Sequence, residues 1–154
     1  MPASVTEPQA RAAVVAEALS WLRTPYHHAA RLKGVGVDCA QLVIGVYANA
    51  GFIEAFDPEA YPPDWHLHRS AERYLADVLK YAREITIEEI GPGDLILYKF
   101  GRTYSHGAIV VDYPQVVHAV LRDGSVTLGD ADRDVELIGR PTRFFSYWGA
   151  RDVR

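Results

Sequence analysis

A chain of 154 residues is long enough for one domain with a proper core and too short for two. Apolar residues make up 49% and charged residues 23%, close to globular averages, which excludes a disordered chain. The net charge of −4, with no basic block, argues against nucleic acid as a partner. No apolar stretch is long enough to span a bilayer. One cysteine excludes an internal disulfide.

Taken in chain order, Thr6-Glu7-Pro8-Gln9 has the form of a capping box, with Thr6 as N-cap and Gln9 at N3. The helix it opens is expected to bury Val14, Val15, Ala18, Leu19 and Leu22 and to stop at Arg23-Thr24, since Pro25 disfavours helical backbone before it. With Glu7, Arg11 and Glu17 among the alanines and valines, this segment is an amphipathic helix and not a signal peptide. A cytoplasmic protein is therefore expected, one that needs a carrier to act elsewhere. His27 and His28 follow on a turn; adjacent loop residues rarely aim at one point, so no metal is expected there.

Gly34-Val35-Gly36-Val37-Asp38-Cys39 is a glycine-rich loop running into an apolar helix with Leu42, Val43, Val46, Tyr47 and Ala50 on one stripe and Gly51 as its left-handed stop. Asp38 reads as N-cap, which puts Cys39 in the first turn, where the orphan amides and the helix dipole favour thiolate over thiol. The plain alternative is a small buried hydrophobe, because free cysteine is among the most buried residue types.

Residues 52–66 form a long loop rich in Pro, acidic and aromatic residues, and a loop of that length in a small domain is expected to wall a cleft, with Tyr61 and Trp65 either as substrate contacts or as rings that pack the loop onto the helix starting near Leu67. A second amphipathic pattern runs from Leu67 to about Arg83. After the turn Gly91-Pro92-Gly93-Asp94 the period changes to that of strands: Leu95–Tyr98, Gly107–Val111, Gln115–Leu121, Val126–Leu128, then shorter ones at Val135–Ile138 and Phe144–Trp148. Helices first and a meander of strands second make the class α+β, with an antiparallel sheet packed on the cysteine helix.

Cys39, His106 and His118 supply a nucleophile, a base and a group to orient the base. Side chains alternate across a strand, so the two histidines share a face only if the hairpin parity allows it. A three-residue loop at Asp112-Tyr113-Pro114 pairs position 106 with 120 and leaves His118 diagonal to His106 on the same face; a two-residue loop puts them on opposite faces. Two polar residues on a half-buried sheet, or a zinc site made of the three residues, are the competing readings.

Gly36-Val37-Asp38-Cys39-Ala40-Gln41-Leu42-Val43, Ser105-His106-Gly107-Ala108-Ile109 and Val117-His118-Ala119 resemble the three motifs of the NlpC/P60 cysteine peptidases, and Thr24-Pro25-Tyr26 is similar to that family's upstream element. Tyr61-Pro62-Pro63-Asp64-Trp65-His66-Leu67-His68-Arg69 resembles the branch found in phage tails and gene-transfer particles. The resemblance implies a papain-like α+β fold over a single catalytic domain and a peptidase that cuts peptidoglycan stem peptides, at a D-Glu/diamino-acid-type bond, with no cofactor. It implies Cys39 as nucleophile, His106 as base, His118 as the orienting residue and Tyr26 beside the oxyanion. It also implies Asp38 as a contact for a substrate amino group, and phage-like particle proteins as partners. Arg31, and Lys33 after it, are candidates for a stem-peptide carboxylate, the plain alternative being charged residues on a solvated loop. Two positions depart from the family pattern: Arg23 stands where Gly is usual, and His27-His28 replaces a Trp/Gly-rich continuation. An acyltransferase or amidase on a related fold, or a catalytically silent structural module, would keep the same residues.

Overall fold

The computed structural model describes residues 5–55, 73 and 75–149. Helix α1 spans Glu7–Leu19, and its start follows from the capping box: the Gln9 amide donates to Thr6 Oγ1 at 3.3 Å and the Thr6 amide to Gln9 Oε1 at 3.1 Å. It ends four residues earlier than the sequence pattern predicts. The chain then turns through residues 20–23, and Arg23 takes a φ of +73°. Ala10, Val14 and Ala18 are buried, whereas Leu19 is exposed.

Helix α2, Cys39–Asn49, is the centre of the molecule. Asp38 Oδ1 accepts from the Gln41 amide at 2.9 Å, and Gly51 stops the helix at φ +88°. Every residue from Cys39 to Tyr47 is buried, so the helix is covered all round and not only along one stripe. Two glycines permit this. A Cβ at Gly45 would lie 2.7 Å from the Trp21 ring, and one at Gly107 would lie 2.7 Å from Val43.

Ahead of α2, β1 (Arg31–Leu32) and β2 (Gly36–Val37) pair as a small antiparallel hairpin. The main sheet consists of β3 (Arg83–Ile85), β4 (Leu95–Phe100), β5 (Thr103–Asp112), β6 (Gln115–Val120), β7 (Ser125–Asp130) and β8 (Thr142–Ser146), all antiparallel in the order β3-β8-β4-β5-β6-β7. The exposed edge of β7 is covered in part by residues 23–26: the Arg23 amide donates to the Val126 carbonyl and the Tyr26 amide to the Gly124 carbonyl. One core, holding α1, α2, Leu95, Leu97, Ile109 and Val117, fills the helix side of the sheet. A second, of Ile96, Tyr98, Ala108, Val110, Val116 and Leu137, lies on the other face. Arg11 of α1 is pinned to the buried Asp94 at 3.0 Å, and Tyr47 donates to the Gly93 carbonyl at 2.8 Å, tying both helices to the turn before β4.

Three short strands, β1, β2 and β3, carry too few residues to show a period and are absent from the sequence expectation. The strand expected at Val135–Ile138 is instead a run of turns: the amides of Leu137 and Ile138 both close on the Asp134 carbonyl, at 2.8 and 3.0 Å. Its alternating pattern arises because Leu137 alone plugs the second core while Val135 and Ile138 are exposed. Most of the 52–66 loop and of the helix expected from Leu67 lies outside the described residues; residues 75–78 are helical, with Leu75 and Val78 buried. Among the described residues no helix is long and apolar enough to cross a membrane.

Candidate active site

The β5–β6 hairpin decides where the histidines go. Asp112 pairs with Gln115, so the loop has two residues, not the expected three, but the register shifts between Val110 and Asp112 and leaves Val111 bulged. The bulge absorbs one residue and restores the parity of the three-residue alternative, with Ile109 opposite Val117. His118 is thereby diagonal to His106 on one face, and His106 Nε2 and His118 Nδ1 share a hydrogen bond of 2.8 Å. His118 is fully buried, and burial holds its pKa below the ordinary value in spite of the Asp134, Asp123 and Glu136 carboxylates facing it. It is neutral at pH 7, with one proton to place on one of two ring nitrogens.

Cys39 stands at the first position of α2 and reaches the strand bearing His106: its Sγ donates to the carbonyl of Ser105, the preceding residue, at 3.6 Å. The expected thiolate is not the resting form. The Ala40 and Cys39 amides and the Tyr26 hydroxyl favour the anion, but burial and the neighbouring Asp38 carboxylate outweigh them and push the thiol up to about 12. The helix dipole falls off within one turn and supplies less than full desolvation removes. The Tyr26 hydroxyl faces both the Cys39 thiol and the Cys39 amide. Its backbone is fixed by the Gly124 carbonyl on one side and a bridge to Val37 on the other.

Asp38 is fully buried, with Oδ2 accepting from the Ala29 amide at 2.7 Å and Oδ1 from the Gln41 amide, so it clamps the loop before α2 as well as capping the helix. Arg31, on β1, donates to Gln41 Oε1 at 3.0 Å and packs its stem beside Gly45. Lys33 turns away to Glu17, at 2.9 Å, and Ser20. Tyr61 and Trp65 lie outside the described residues. Among the described residues no group of three or more His, Cys, Asp or Glu is arranged to hold a metal ion.

Two contacts escape the sequence reading. Phe100 stacks on His106, with centroids 4.8 Å apart and planes inclined at 29°, and the Arg140 guanidinium lies over the same phenyl ring, 3.6 Å from its centroid. Asp134 brings Oδ2 to 3.6 Å from His118 Nε2. The β4–β5 hairpin, with its register shift between Tyr98 and Lys99, carries Phe100 to His106, whereas Asp134 is brought to His118 from a separate turn beyond β7.

The NlpC/P60 family pattern matches residues 23–136, most of the chain. The chain belongs to the NlpC/P60 family. No curated protein matches it. Among solved structures it is similar to the NlpC/p60 domain of the peptidoglycan hydrolase SagA, at 24% identity and a TM-score of 0.59 over 86% of this chain and 96% of that one. It is also similar to the peptidoglycan hydrolase RipB of Mycobacterium tuberculosis, at 21% identity and 0.64 over 96% and 68%. RipD of the same organism, described as a non-catalytic NlpC/p60 domain protein adapted to peptidoglycan binding, matches at 20% identity and 0.61 over 91% and 98%. The fold is thus the α+β, papain-like NlpC/P60 fold, with helices packed on an antiparallel sheet and the cysteine on α2. Arg23, where the sequence resemblance predicts glycine, adopts a positive φ of +73°, a conformation that strains a non-glycine residue.

Proposed function

We propose that this NlpC/P60 protein is a cysteine peptidase that cleaves peptidoglycan stem peptides, with Cys39 as nucleophile, His106 as base and His118 as its orienting partner. The observation that carries the reading is the 2.8 Å bond between His106 Nε2 and His118 Nδ1, on the strand whose Ser105 carbonyl receives the Cys39 thiol. Because His118 occupies Nε2, proton exchange with Cys39 falls to Nδ1 of His106.

The neutral thiol sets the order of events. Cys39 loses its proton to His106 as sulfur attacks the scissile carbonyl, and the imidazolium returns that proton to the departing amine. The Cys39 amide and the Tyr26 hydroxyl, already facing one another, take the developing oxyanion. Water then hydrolyses the thioester with His106 again as base. A D-Glu/diamino-acid-type bond is the narrower form of the reading. Delivery by a phage-like particle is narrower still; it rests on residues 61–69, which lie outside the described residues.

Defined muropeptides incubated in ¹⁸O-labelled water and analysed by mass spectrometry test the assignment. Hydrolysis places one ¹⁸O in the new carboxylate and identifies the bond; an unlabelled acyl group appearing on an added amine would show an acyltransferase instead.

A further inference from the structure

His118 uses Nδ1 toward His106, but its other ring nitrogen is an orphan. Nε2 is fully buried and has no hydrogen-bond partner among the described residues. A buried unpaired ring N–H carries a full desolvation penalty, so its position in a native site calls for a partner. The group nearest to hand is the Asp134 carboxylate, whose Oδ2 stands 3.6 Å from Nε2, just beyond hydrogen-bonding range.

The surroundings are built around that approach. Asp134 Oδ1 is held at 3.0 Å by the Glu136 amide, and its backbone is fixed by Asp130, Leu137 and Ile138, so Oδ2 is the oxygen left to face the ring. On β7, the position beside the gap is Gly129. A Cβ there would lie 2.6 Å from His118 Nε2 and 3.2 Å from Asp134 Oδ2, so only glycine leaves room for ring and carboxylate to meet. The other groups facing His118 are His106 on β5, the uncharged Thr127 across the β6–β7 pair, and the Asp123 and Glu136 carboxylates. Among the described residues none of these groups hydrogen-bonds to Nε2.

We propose that Asp134 is a positioning residue whose Oδ2 accepts the Nε2–H of His118, completing a Cys39–His106–His118–Asp134 chain. With the His118 proton fixed on Nε2, its Nδ1 is a bare acceptor. The 2.8 Å bond then runs from His106 Nε2–H to His118 Nδ1, and His106 Nδ1 carries the lone pair that receives the Cys39 proton. The opposite tautomer would place a proton on His118 Nδ1 and force His106 to hold its own proton toward the thiol. This last consequence rests on the peptidase reading; the tautomer itself does not.

Imidazole ¹⁵N NMR on the full chain, without substrate, reads the tautomer directly. The wild type is expected to show His118 as Nε2–H. Asp134→Asn offers one acceptor oxygen to two donors, the Glu136 amide and the His118 ring, and Asp134→Ala offers none. Both are expected to lose the Nε2–H preference while the amide spectrum stays folded, and Glu136→Gln, which removes a facing charge without removing the acceptor, is expected to keep it. On muropeptides, Asp134→Asn should lower kcat about tenfold with KM unchanged. It should also move the acid limb of kcat to lower pH, because the carboxylate favours the protonated imidazole pair. In a His118→Ala background it should have no further effect. A wild-type His118 protonated on Nδ1, or a tautomer unchanged in both Asp134 variants, would overturn the proposal. If muropeptides are not cleaved at all, the peptidase reading fails while the NMR result still decides the role of Asp134.

Discussion

Phe100 stacks against His106, its centroid 4.8 Å from that of the imidazole and its plane inclined by 29°, and the Arg140 guanidinium lies over the same phenyl ring. The guanidinium is itself anchored, through Nε to the Glu136 carbonyl at 2.7 Å and through Nη1 to the Lys99 carbonyl at 3.2 Å. His106 is thus contacted in two directions, edge-on by His118 and face-on by the phenyl ring of Phe100.

Phe100→Leu keeps apolar bulk and removes the flat surface. Aromatic pairs of this kind contribute about 0.5–1.5 kcal/mol beyond area burial. If that energy holds His106 in its productive orientation, kcat should fall by up to about tenfold with little change in KM. Steady-state kinetics on a muropeptide substrate, with Tm measured alongside, check this. A variant that loses Tm in proportion to activity would reduce Phe100 to packing.

The resting thiol makes a distinct prediction. With Cys39 pushed up to about 12, its alkylation by iodoacetamide at pH 7 should be more than tenfold slower than that of free cysteine. The rate should keep rising well past pH 9 instead of reaching a plateau. A plateau near neutral pH would mean that a preformed thiolate–imidazolium pair, and not deprotonation during attack, activates the nucleophile.

Burial of neutral His118 also links stability to pH. Its folded pKa is depressed, so the unfolded chain takes up a proton near pH 6.5 that the folded chain refuses. The contribution is present above that pH and is lost as pH falls toward the folded value. Denaturant titrations at pH 7 and pH 5 should therefore show a larger loss in the wild type than in His118→Asn, and equal losses would contradict a buried neutral ring.

What could be read in advance depended on how locally each feature is encoded. The α1 capping box, the Asp38 cap and the Gly51 stop are each written in a few adjacent residues and appear as expected. The shared face of His106 and His118 required only parity, which the sequence limited to two alternatives and the Val111 bulge resolved. Asp134 and Phe100 were out of reach because nothing local distinguishes a turn aspartate or a strand phenylalanine. The Cys39 thiol was misjudged for the same reason: the helix dipole is visible in sequence, whereas the degree of burial that overrides it is a property of the packed molecule.

Arg23 offers a test of the backbone alone. At φ +73° a non-glycine residue is strained by roughly 1–2 kcal/mol, and glycine gives back part of that through its looser unfolded state, about 0.5–1 kcal/mol. Arg23→Gly should therefore leave the protein unchanged or up to about 1.5 kcal/mol more stable, measured by chemical denaturation, with turnover intact. A clear destabilisation would mean that the arginine side chain holds the turn before Tyr26.

The peptidase reading of this NlpC/P60 domain stands or falls with Cys39 and His106. The direct measurement is turnover of a defined stem-peptide muropeptide by the wild type, Cys39→Ala and His106→Ala, with folding verified for each. Cleavage is expected from the wild type, and none above background from either folded variant. A folded wild type that binds the muropeptide without cutting it, or cleavage that survives Cys39→Ala, would contradict it.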